Sequence, residues 1–336
     1  MVNIVNVSLI GYGTVGKNVV KSIASKTAKF EEKIQKRLQV TEIYEYDGAL
    51  INPNGINLQV LVDGASIRQH PDWKPGIKAV DHLPQSAGQI IIESTPTNPR
   101  TGEPGLSHIL TALQAGKNVV SSNKGPFYLE YAKILSLARE KNVLVRFGAT
   151  VGSAIPILAA KDTLAGCEIV EIQAVINGTS NFILSRMASE NESFDLALKE
   201  AQELGYAEAD PSLDVGGYDA AGKLVILANH LMGWSKTIKD VKIEGITRVT
   251  AEGVELAKKR GFFIKQVAFA KDGKLEVGLR LIPQNSPLAI SGTLNAIMLR
   301  TDVAGDYYFV GRGAGGPEAA AGILSDVVNI ARTLRE

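Results

Sequence analysis

Cysteine and histidine are scarce in this sequence. Cys167 is the only cysteine among 336 residues, which excludes an internal disulfide and a zinc site built from several cysteines. The four histidines lie too far apart along the chain for a local metal-binding motif. The thiol stands in LAGCEIVEI, without a helix N-terminus or a neighbouring histidine to activate it, and we therefore expect it to lie in the core.

A surplus of charge of either sign is also missing. The chain has 36 lysines and arginines against 35 aspartates and glutamates, a balance that disfavours binding to a nucleic-acid backbone. No apolar run reaches the roughly 20 residues that span a bilayer, and the N-terminus has no cleavable signal pattern. We expect a cytoplasmic globular protein that acts on a small molecule, with neither a nucleic-acid nor a membrane partner.

Short apolar strands alternate with helical segments in residues 1–150. The runs at residues 3–10 and 88–95 are continuously apolar, as in parallel strands, and between them the pattern predicts a helix from Thr14 to about Leu38 and a strand at 39–46. This alternation predicts an α/β fold with a doubly wound parallel sheet. The other predicted elements are helices at 105–115 and 127–141 and strands at 118–121 and 143–147.

The pattern changes after GATVGSAIP. A strand-like segment at 167–177, further helical segments and a hairpin around residues 271–273 indicate an α+β domain. The last segment is a glycine-rich loop followed by an amphipathic helix, whose apolar stripe holds Ile323, Leu324, Val327, Val328 and Ile330. The predicted parts are a dinucleotide-binding domain over 1–150, a second domain over 151–310 and a segment over 311–336 that returns to the first domain.

Three glycines follow the first strand in the pattern GYGTVG. Gly11, Gly13 and Gly16 have the GxGxxG spacing, which allows a tight turn, a close approach of the backbone to pyrophosphate and close helix packing. A bare strand–turn–helix is the alternative, but the position between strand and helix favours dinucleotide binding. Glu45 and Asp47 are the candidates for holding the adenosine ribose, although Asp47 also fits a plain turn. No arginine follows directly, which favours NAD slightly over NADP.

Lys124, in SSNKGP, comes directly after a short predicted strand. Open α/β sheets bind their ligands at this end of the strands, so the position favours a functional role. An ordinary surface lysine is the alternative.

Charged residues crowd the stretch GYAEADPSLDVGGYDAAGK, residues 205–223. Its proline and glycines predict a loop up to Asp219, where a helix begins. Asp219 and Lys223 are then i and i+4 on one helix face, and the plain interpretation is a surface ion pair worth ~0.3 to 0.5 kcal/mol. Against it, Lys223 falls in the first turn, where the helix dipole disfavours a cation. A lysine oriented by an aspartate and facing acids able to hold a substrate ammonium suits proton transfer.

The segment from Ala201 to Lys223 resembles the signature of the homoserine dehydrogenase family. The stretches SSNKGP, ATVGSAIPI, NGTSNFIL and GRGAGGPEAAAGILSDVVNIA agree in order, and the resemblance spans nearly the whole chain. It implies reversible, NAD(P)-dependent conversion of L-homoserine and L-aspartate 4-semialdehyde in threonine, methionine and isoleucine biosynthesis. It also implies a Rossmann-like domain, a substrate-binding and dimerisation domain, and a homodimer or higher homo-oligomer.

The same resemblance implies roles for individual residues. Lys223 is the proton donor to the carbonyl oxygen, Asp219 and Lys124 lie beside the reacting centre, and Glu208 binds the substrate amino group. The other implied substrate residues are Asp214, Gly178, Thr179 and Tyr206. The implied cofactor residues are Gly11, Tyr12, Gly13, Thr14, Val15, Gly16, Asp47, Ser94, Thr95, Lys124, Gly313 and Gly315.

Family members also hold a monovalent cation, sodium or potassium, near this loop. The matching residues are Val151, Ser153, Ile155, Gly205 and Glu208. Two departures bear on this site: the family usually has a glutamate at the position of Gly148, and glycines where this chain has Ser153 and Ala154. These 336 residues also lack the regulatory domain of some relatives, and we expect weak or no feedback by threonine.

Two other functions stay open at this point. An aldehyde dehydrogenase acting on the same semialdehyde needs an activated cysteine, for which Cys167 is the only candidate. A dinucleotide-sensing binding protein needs no turnover, but it leaves the charges around Lys223 without a role.

Overall fold

The computed structural model describes residues 3–334, which divide into two compact units. Residues 3–153 and 315–334 form the first unit, and residues 154–314 form the second. No helix in this part of the chain is long and apolar enough to cross a membrane. The strands are β1 (Asn3–Ile10), β2 (Lys36–Glu45), β3 (Gly48–Ile51), β4 (Trp73–Pro75), β5 (Ile90–Glu93), β6 (Asn118–Ser121), β7 (Val145–Arg146), β8 (Ile169–Val175), β9 (Val241–Ile243), β10 (Phe262–Lys271), β11 (Lys274–Pro283), β12 (Leu294–Thr301) and β13 (Gly305–Arg312). The helices are α1 (Thr14–Ile34), α2 (Leu58–Val62), α3 (Ala79–His82), α4 (Gly105–Gln114), α5 (Lys124–Glu140), α6 (Ala160–Thr163), α7 (Gly178–Glu190), α8 (Phe194–Glu203), α9 (Ser212–Val215), α10 (Tyr218–Leu231), α11 (Ala251–Lys259) and α12 (Gly316–Thr333).

The first unit carries a seven-stranded sheet in the order β4-β3-β2-β1-β5-β6-β7. β1 pairs in parallel with both β2 and β5, and the parallel pairing continues through β6 to β7. β3 and β4 extend the other edge in antiparallel fashion. The predicted doubly wound α/β class is confirmed. Because the strand order reverses between β1 and β5, ligands are expected at the carboxyl ends of these two strands.

Helix α1 ends earlier than the sequence pattern predicts. Gln35 adopts the left-handed conformation, with φ of 55°, and stops the helix after Ile34. β2 then begins at Lys36. Leu38 and Val40 face the core as alternate residues of this strand. The helix predicted to reach Leu38 was therefore wrong over its last turn.

The C-terminal helix α12 packs inside the first unit. Ile323, Val327 and Ile330 are buried in the same hydrophobic cluster as Val19 and Ile23 of α1. All five residues of the predicted apolar stripe are buried. Because α12 and α1 share this core, the C-terminal helix supports the helix that follows the glycine turn.

The second unit carries a six-stranded sheet in the order β13-β12-β8-β10-β11-β9. Its pairs are antiparallel, except that β9 pairs in parallel with β11. β10 and β11 form the predicted hairpin, whose turn residues Asp272 and Gly273 have φ of 49° and 76°. The α+β prediction for this part of the chain is confirmed.

Helix α10 lies in the interior of the second unit. Every residue from Ala220 to Asn229 is buried, and the helix packs against β10 and β11. A helix that is buried on all sides is normally apolar, yet this one contains Lys223. A charged side chain in such a position needs partners inside the protein.

Candidate functional site

Three glycines shape the turn between β1 and α1, each with different surroundings. Gly11 has φ of +93°, and a Cβ there would lie 3.1 Å from the carbonyl group of Ser94. A Cβ at Gly16 would overlap the carbonyl oxygen of Gly11. A Cβ at Gly13, in contrast, would have no atom of residues 3–334 within 4 Å apart from those of its neighbours in the chain. Gly11 and Gly16 are therefore needed for the turn itself, and Gly13 leaves open space at the start of α1.

The first turn of α1 is suited to binding an anion. Gly13 is its N-cap residue, and the sequence TVGK of this turn contains no acidic side chain. The N–H groups at a helix N-terminus have no partner within the helix and carry partial positive charge. Because the space at Gly13 is open, a phosphate group can approach these N–H groups. The turn therefore fits the pyrophosphate of a dinucleotide.

The two acids at the end of β2 have separate partners. The Glu45 carboxylate accepts a hydrogen bond from the backbone N–H of Tyr12, inside the glycine turn. Asp47 accepts two hydrogen bonds from Arg68, at 2.7 Å and 3.0 Å, and these bonds lower the pKa of Asp47. The Arg68 guanidinium also lies 5.6 Å from the centre of the Tyr46 ring. An arginine therefore stands beside the end of β2, although it comes from a turn 21 residues farther along the chain.

Ser94 and Thr95 follow β5, directly beside the glycine turn. The Ser94 hydroxyl donates to the carbonyl oxygens of Ile10 and Gly11, at 3.0 Å in both cases. The backbone N–H of Thr95 donates to Glu93 Oε1 at 3.0 Å. The Ser94 bonds hold the end of β5 against the end of β1, where the strand order reverses.

Lys124 is the first residue of α5, three residues after β6 ends. The side chain of Asn123 caps this helix by accepting a hydrogen bond from the backbone N–H of Gly125 at 3.2 Å. Lys124 therefore lies at the carboxyl end of a parallel strand in the first unit, which is consistent with the position expected for a ligand-binding residue.

Gly313 and Gly315 have a packing reason within their own units. A Cβ at Gly313 would overlap the side chain of Asn295, and a Cβ at Gly315 would overlap the carboxylate of Glu318. Gly315 also has φ of 127°, which other residues rarely adopt. A cofactor contact of these two glycines stays a prediction.

A buried lysine and two acids belong to one group of bonded residues in the second unit. Lys223 Nζ lies 2.7 Å from Asp219 Oδ2 and donates a hydrogen bond to the carbonyl oxygen of Ile176 at 2.8 Å. The side-chain amide of Asn177 donates to both acids, at 2.6 Å to Asp214 Oδ1 and at 2.9 Å to Asp219 Oδ2. These five residues, which we call the acid–lysine cluster, come from α9, α10 and the segment before α7.

The burial of Lys223 contradicts the interpretation as a surface ion pair. Lys223 is only 7% exposed. The helix begins at Tyr218, after Gly217 with φ of 86°, so that Lys223 lies in the second turn and not in the first as expected. The dipole argument is weaker there, because the effect falls off within the first turn. Enclosure inside the unit distinguishes this lysine from a surface residue.

Three predicted substrate residues are linked to one another. The Thr179 hydroxyl donates to the carbonyl oxygen of Tyr206 at 2.7 Å, which joins the first turn of α7 to the loop after α8. Gly178 is the first residue of α7, and a Cβ there would lie 3.0 Å from the carbonyl oxygen of Thr293. The motif NGT therefore begins in the acid–lysine cluster, since Asn177 belongs to both.

Glu208 and Asp210 lie in the loop before α9, and both are exposed. Asp210 accepts a hydrogen bond from the backbone N–H of Ser212 at 3.1 Å, and hydrogen bonds from the hydroxyl and the backbone of Ser212 lower the pKa of Asp210. Asp210 therefore has a local role in the turn. The exposed carboxylate of Glu208 is accessible to a charged ligand.

The residues predicted to hold a monovalent cation belong to both units. Val151 and Ser153 are in the first unit, and Ile155, Gly205 and Glu208 are in the second. No group of three or more His, Cys, Asp or Glu side chains within residues 3–334 is arranged to hold a metal ion. A site of this kind depends on carbonyl oxygens, and it stays a prediction.

Gly148 faces a carboxylate from α12. Its backbone N–H donates to Asp326 Oδ2 at 2.7 Å, and a Cβ at Gly148 would lie 2.9 Å from the same oxygen. Burial raises the pKa of Asp326 to about 6. Any side chain at residue 148, a glutamate included, would displace Asp326.

Cys167 is not a core thiol, contrary to expectation. It is half-buried in the connection between α6 and β8, where its backbone N–H donates to the carbonyl oxygen of Leu164 at 2.9 Å. β8 begins at Ile169, two residues later than the predicted strand, so Cys167 falls in a turn.

Sequence reasoning missed Asn177, Arg68 and Asp326. Asn177 directly precedes α7, and the preference of asparagine for N-cap positions was the available signal. Arg68 and Asp326 bond to residues 21 and 178 positions away, so no local pattern indicates these contacts.

The comparisons with known proteins all identify the same family. The homoserine dehydrogenase family model matches residues 156–328. A homoserine dehydrogenase of Methanocaldococcus jannaschii is 42% identical over 330 residues, which cover 97% of this chain and 98% of the relative. An NAD(+)-dependent homoserine dehydrogenase of Pseudomonas canavaninivorans is 34% identical over 341 residues, which cover 96% and 95% of the two chains.

Solved structures of similar proteins have the same architecture. A homoserine dehydrogenase from Thiobacillus denitrificans is 31% identical with a TM-score of 0.86, over 98% of this chain and 74% of the other. A hyperthermophilic archaeal homoserine dehydrogenase in complex with NADPH is 28% identical with a TM-score of 0.85, over 99% of both chains.

Proposed function

The chain belongs to the homoserine dehydrogenase family, and we propose that it converts L-homoserine and L-aspartate 4-semialdehyde reversibly, with NAD(P) as hydride carrier. In this proposal the first unit binds the dinucleotide, the second unit binds the substrate, and the reaction serves amino-acid biosynthesis. The observation that carries it is the buried pair of Lys223 and Asp219, a proton-transfer group in a chain that also has an open glycine turn at Gly13.

Oxidation of the substrate alcohol needs a base for the hydroxyl proton. A dinucleotide held at the glycine turn would supply the acceptor for the hydride of the alcohol carbon. Lys223 Nζ takes the hydroxyl proton in this direction and returns it to the carbonyl oxygen in the reduction. Its amine is held by Asp219 at 2.7 Å and by the Ile176 carbonyl at 2.8 Å, which fixes its position before the substrate binds. Lys124, at the carboxyl end of β6, is the second lysine for which we propose a catalytic role.

Carboxylates of the same loop support recognition of the substrate ammonium group. Glu208 is exposed, and Asp214 is oriented by the Asn177 amide. Hydrogen bonds between an ammonium and a carboxylate are about twice as strong as those between neutral groups. Gly178, Thr179 and Tyr206 complete the proposed substrate residues.

The proposal includes NAD as the preferred cofactor, on the evidence of Asp47 and Arg68. The family contains both an NAD(+)-dependent relative and one solved with NADPH, so the choice depends on local residues. A carboxylate at the adenosine ribose accepts hydrogen bonds from the hydroxyl groups and repels a 2′-phosphate. The nearby Arg68 is already engaged by Asp47 through two hydrogen bonds.

The variant Asp47→Asn tests this preference. Loss of the charge releases Arg68 for a 2′-phosphate, and we expect kcat/KM with NADP to rise by about tenfold relative to NAD. Asp63→Asn is the matched control, because Asp63 is an exposed acid of the same unit that bonds to Gln59. If the ratio of kcat/KM with NADP to that with NAD is unchanged in Asp47→Asn, Glu45 and not Asp47 is the residue that contacts the ribose.

Initial rates with L-homoserine and each dinucleotide test the activity itself. We expect reduced nicotinamide to accumulate, as followed by its absorbance. Cofactor binding without turnover would favour the dinucleotide-sensing alternative. Loss of activity in Cys167→Ser would favour the aldehyde dehydrogenase alternative, whereas full activity is expected.

The proposal also includes a homodimer in the cytoplasm and a monovalent cation. The cation would lie on the carbonyl groups of Val151, Ser153, Ile155, Gly205 and Glu208. Light scattering measures the molar mass, and rates in buffers with sodium, potassium or neither measure the cation dependence.

A further inference from the structure

The side chain of Asn177 makes three hydrogen bonds at one place. Asn177 is 5% exposed and is the N-cap residue of α7, where its Oδ1 accepts a hydrogen bond from the backbone N–H of Ser180 at 2.8 Å. Its Nδ2 donates to Asp214 at 2.6 Å and to Asp219 at 2.9 Å. An amide nitrogen has two hydrogens, so each of them serves one acid.

Asp219 Oδ2 accepts hydrogen bonds from two side-chain donors. Asn177 Nδ2 lies 2.9 Å from this oxygen, and Lys223 Nζ lies 2.7 Å from it. Lys223 also donates to the carbonyl oxygen of Ile176, the residue before Asn177. Residues 176 and 177 therefore hold the lysine twice, directly through a carbonyl group and indirectly through the acid that pairs with it.

Two carboxylates that bond to one amide nitrogen repel each other unless donors lie between them. The cluster has one amine for two acids, and a buried charge without a partner is costly. The neutral Asn177 amide gives each acid a hydrogen-bond donor without adding charge, next to the ion pair between Lys223 and Asp219.

We propose that Asn177 is a positioning residue of the reaction: it holds Asp219 against Lys223 and keeps Asp214 in its own place. Through Asp219 it sets the position from which the Lys223 amine exchanges a proton with the substrate. This inference rests on the role of Lys223 in the proposed function, and it adds a residue that neither binds the cofactor nor takes the proton.

Two variants distinguish the two roles of the Asn177 side chain, as hydrogen-bond donor to the acids and as N-cap of α7. Asn177→Ser keeps a capping oxygen but has no amide, and Asn177→Asp keeps the cap and replaces the donors by a third carboxylate. In both we expect kcat for homoserine oxidation to fall by about 10- to 100-fold, while KM for the dinucleotide stays near wild type. In Asn177→Asp the added negative charge favours the protonated amine, so the alkaline limb of the reduction rate should move to higher pH.

Asn229→Asp is the matched control. Asn229 is a buried asparagine of α10, 3% exposed, whose side chain bonds to the backbone N–H and carbonyl group of Lys236 at 2.8 Å each. Its loss removes a buried amide of the same unit without touching the acids. We expect a lower Tm and an unchanged pH profile.

The outcomes distinguish this inference from the proposed function. Wild-type kcat in both Asn177 variants, or a loss that only follows Tm as in the control, overturns the positioning role. If Lys223→Met is inactive at the same time, the proposed function stands without it. Normal activity of the Lys223→Met variant would contradict the proposed role of Lys223. It would also contradict the inference about Asn177, which depends on that role. If neither Asn177 variant folds, Asn177 is a structural residue and the inference is wrong.

Discussion

The glycine turn of the first unit and the acid–lysine cluster of the second are built by opposite means. In the turn, three glycines within six residues fix the backbone, and the space beside Gly13 is open at the first N–H groups of α1. In the cluster, Asn177 and Asp214 come from other segments than the pair of Lys223 and Asp219 on α10, and contacts shorter than 3 Å link the side chains.

This difference predicts different kinds of sensitivity. The turn depends on volume, because a ligand phosphate needs the space that a side chain at Gly13 would take. The cluster depends on charge and on single hydrogen bonds, because Lys223 is buried and its acids are partly buried. Changes in the turn should therefore act on cofactor affinity, and changes in the cluster should act on turnover.

The variant Lys223→Met is expected to have the largest effect on turnover. Methionine keeps the length and apolar contacts of the side chain but removes the amine, and loss of a general acid or base lowers kcat by about 10²-fold or more. Cofactor affinity should stay unchanged. Lys265→Met is the matched control, because Lys265 is another buried lysine of this unit, bonded to Asn181 and Ser185. Equal losses in both variants would show that a buried lysine is needed only for folding.

Replacement of Gly13 by valine should weaken dinucleotide binding without changing the fold. Gly13→Val fills the open space at the start of α1, and we expect the dissociation constant of the dinucleotide to rise by at least about tenfold. The fold should persist, since no atom of the described chain lies within 4 Å of the added Cβ. Titration calorimetry measures the affinity. Gly166→Val, also without near neighbours, is the control, and equal affinity in both variants would contradict the assignment of the turn.

Glu208→Gln should act on the substrate alone. If this exposed carboxylate holds the homoserine ammonium, its neutralisation should raise KM for homoserine by about tenfold and leave the KM of the dinucleotide unchanged. Asp210→Asn is the control, since Asp210 is an exposed acid of the same loop that serves the turn at Ser212. A normal KM in Glu208→Gln would remove this residue from substrate recognition.

Asp326→Asn should leave turnover unchanged and alter stability with pH. Because burial raises the pKa of Asp326 to about 6, the folded state keeps a proton that the unfolded state loses near pH 4. Its contribution to stability is full below about pH 4 and is lost as the pH rises to about 6, by roughly 3 kcal/mol at most. Asparagine does not titrate, so the Tm of the variant should rise relative to wild type over this range. A constant difference in Tm would contradict the buried, titrating carboxylate.

Local sequence was enough to predict the turn but not its electrostatic surroundings. The strand, three glycines and the start of α1 lie within residues 3–34, and turn residues and apolar periodicity act over such short distances. The same holds for the hairpin at Asp272 and for the apolar stripe of α12. The pair of Asp47 and Arg68 escaped prediction, because a loop that returns to the end of β2 leaves no local pattern.

What the sequence by itself determined about this protein is the α/β and α+β character of its two parts, the glycine turn and the set of charged residues between 205 and 223. Only the tertiary structure decided that Lys223 is buried, that Asp219 and Asp214 share the amide of Asn177, and that Asp326 reaches Gly148. The physical reason is that a charged loop has the same pattern whether water or protein surrounds it. Burial and the choice of partner depend on segments that are distant in the chain and that the folded topology brings into contact.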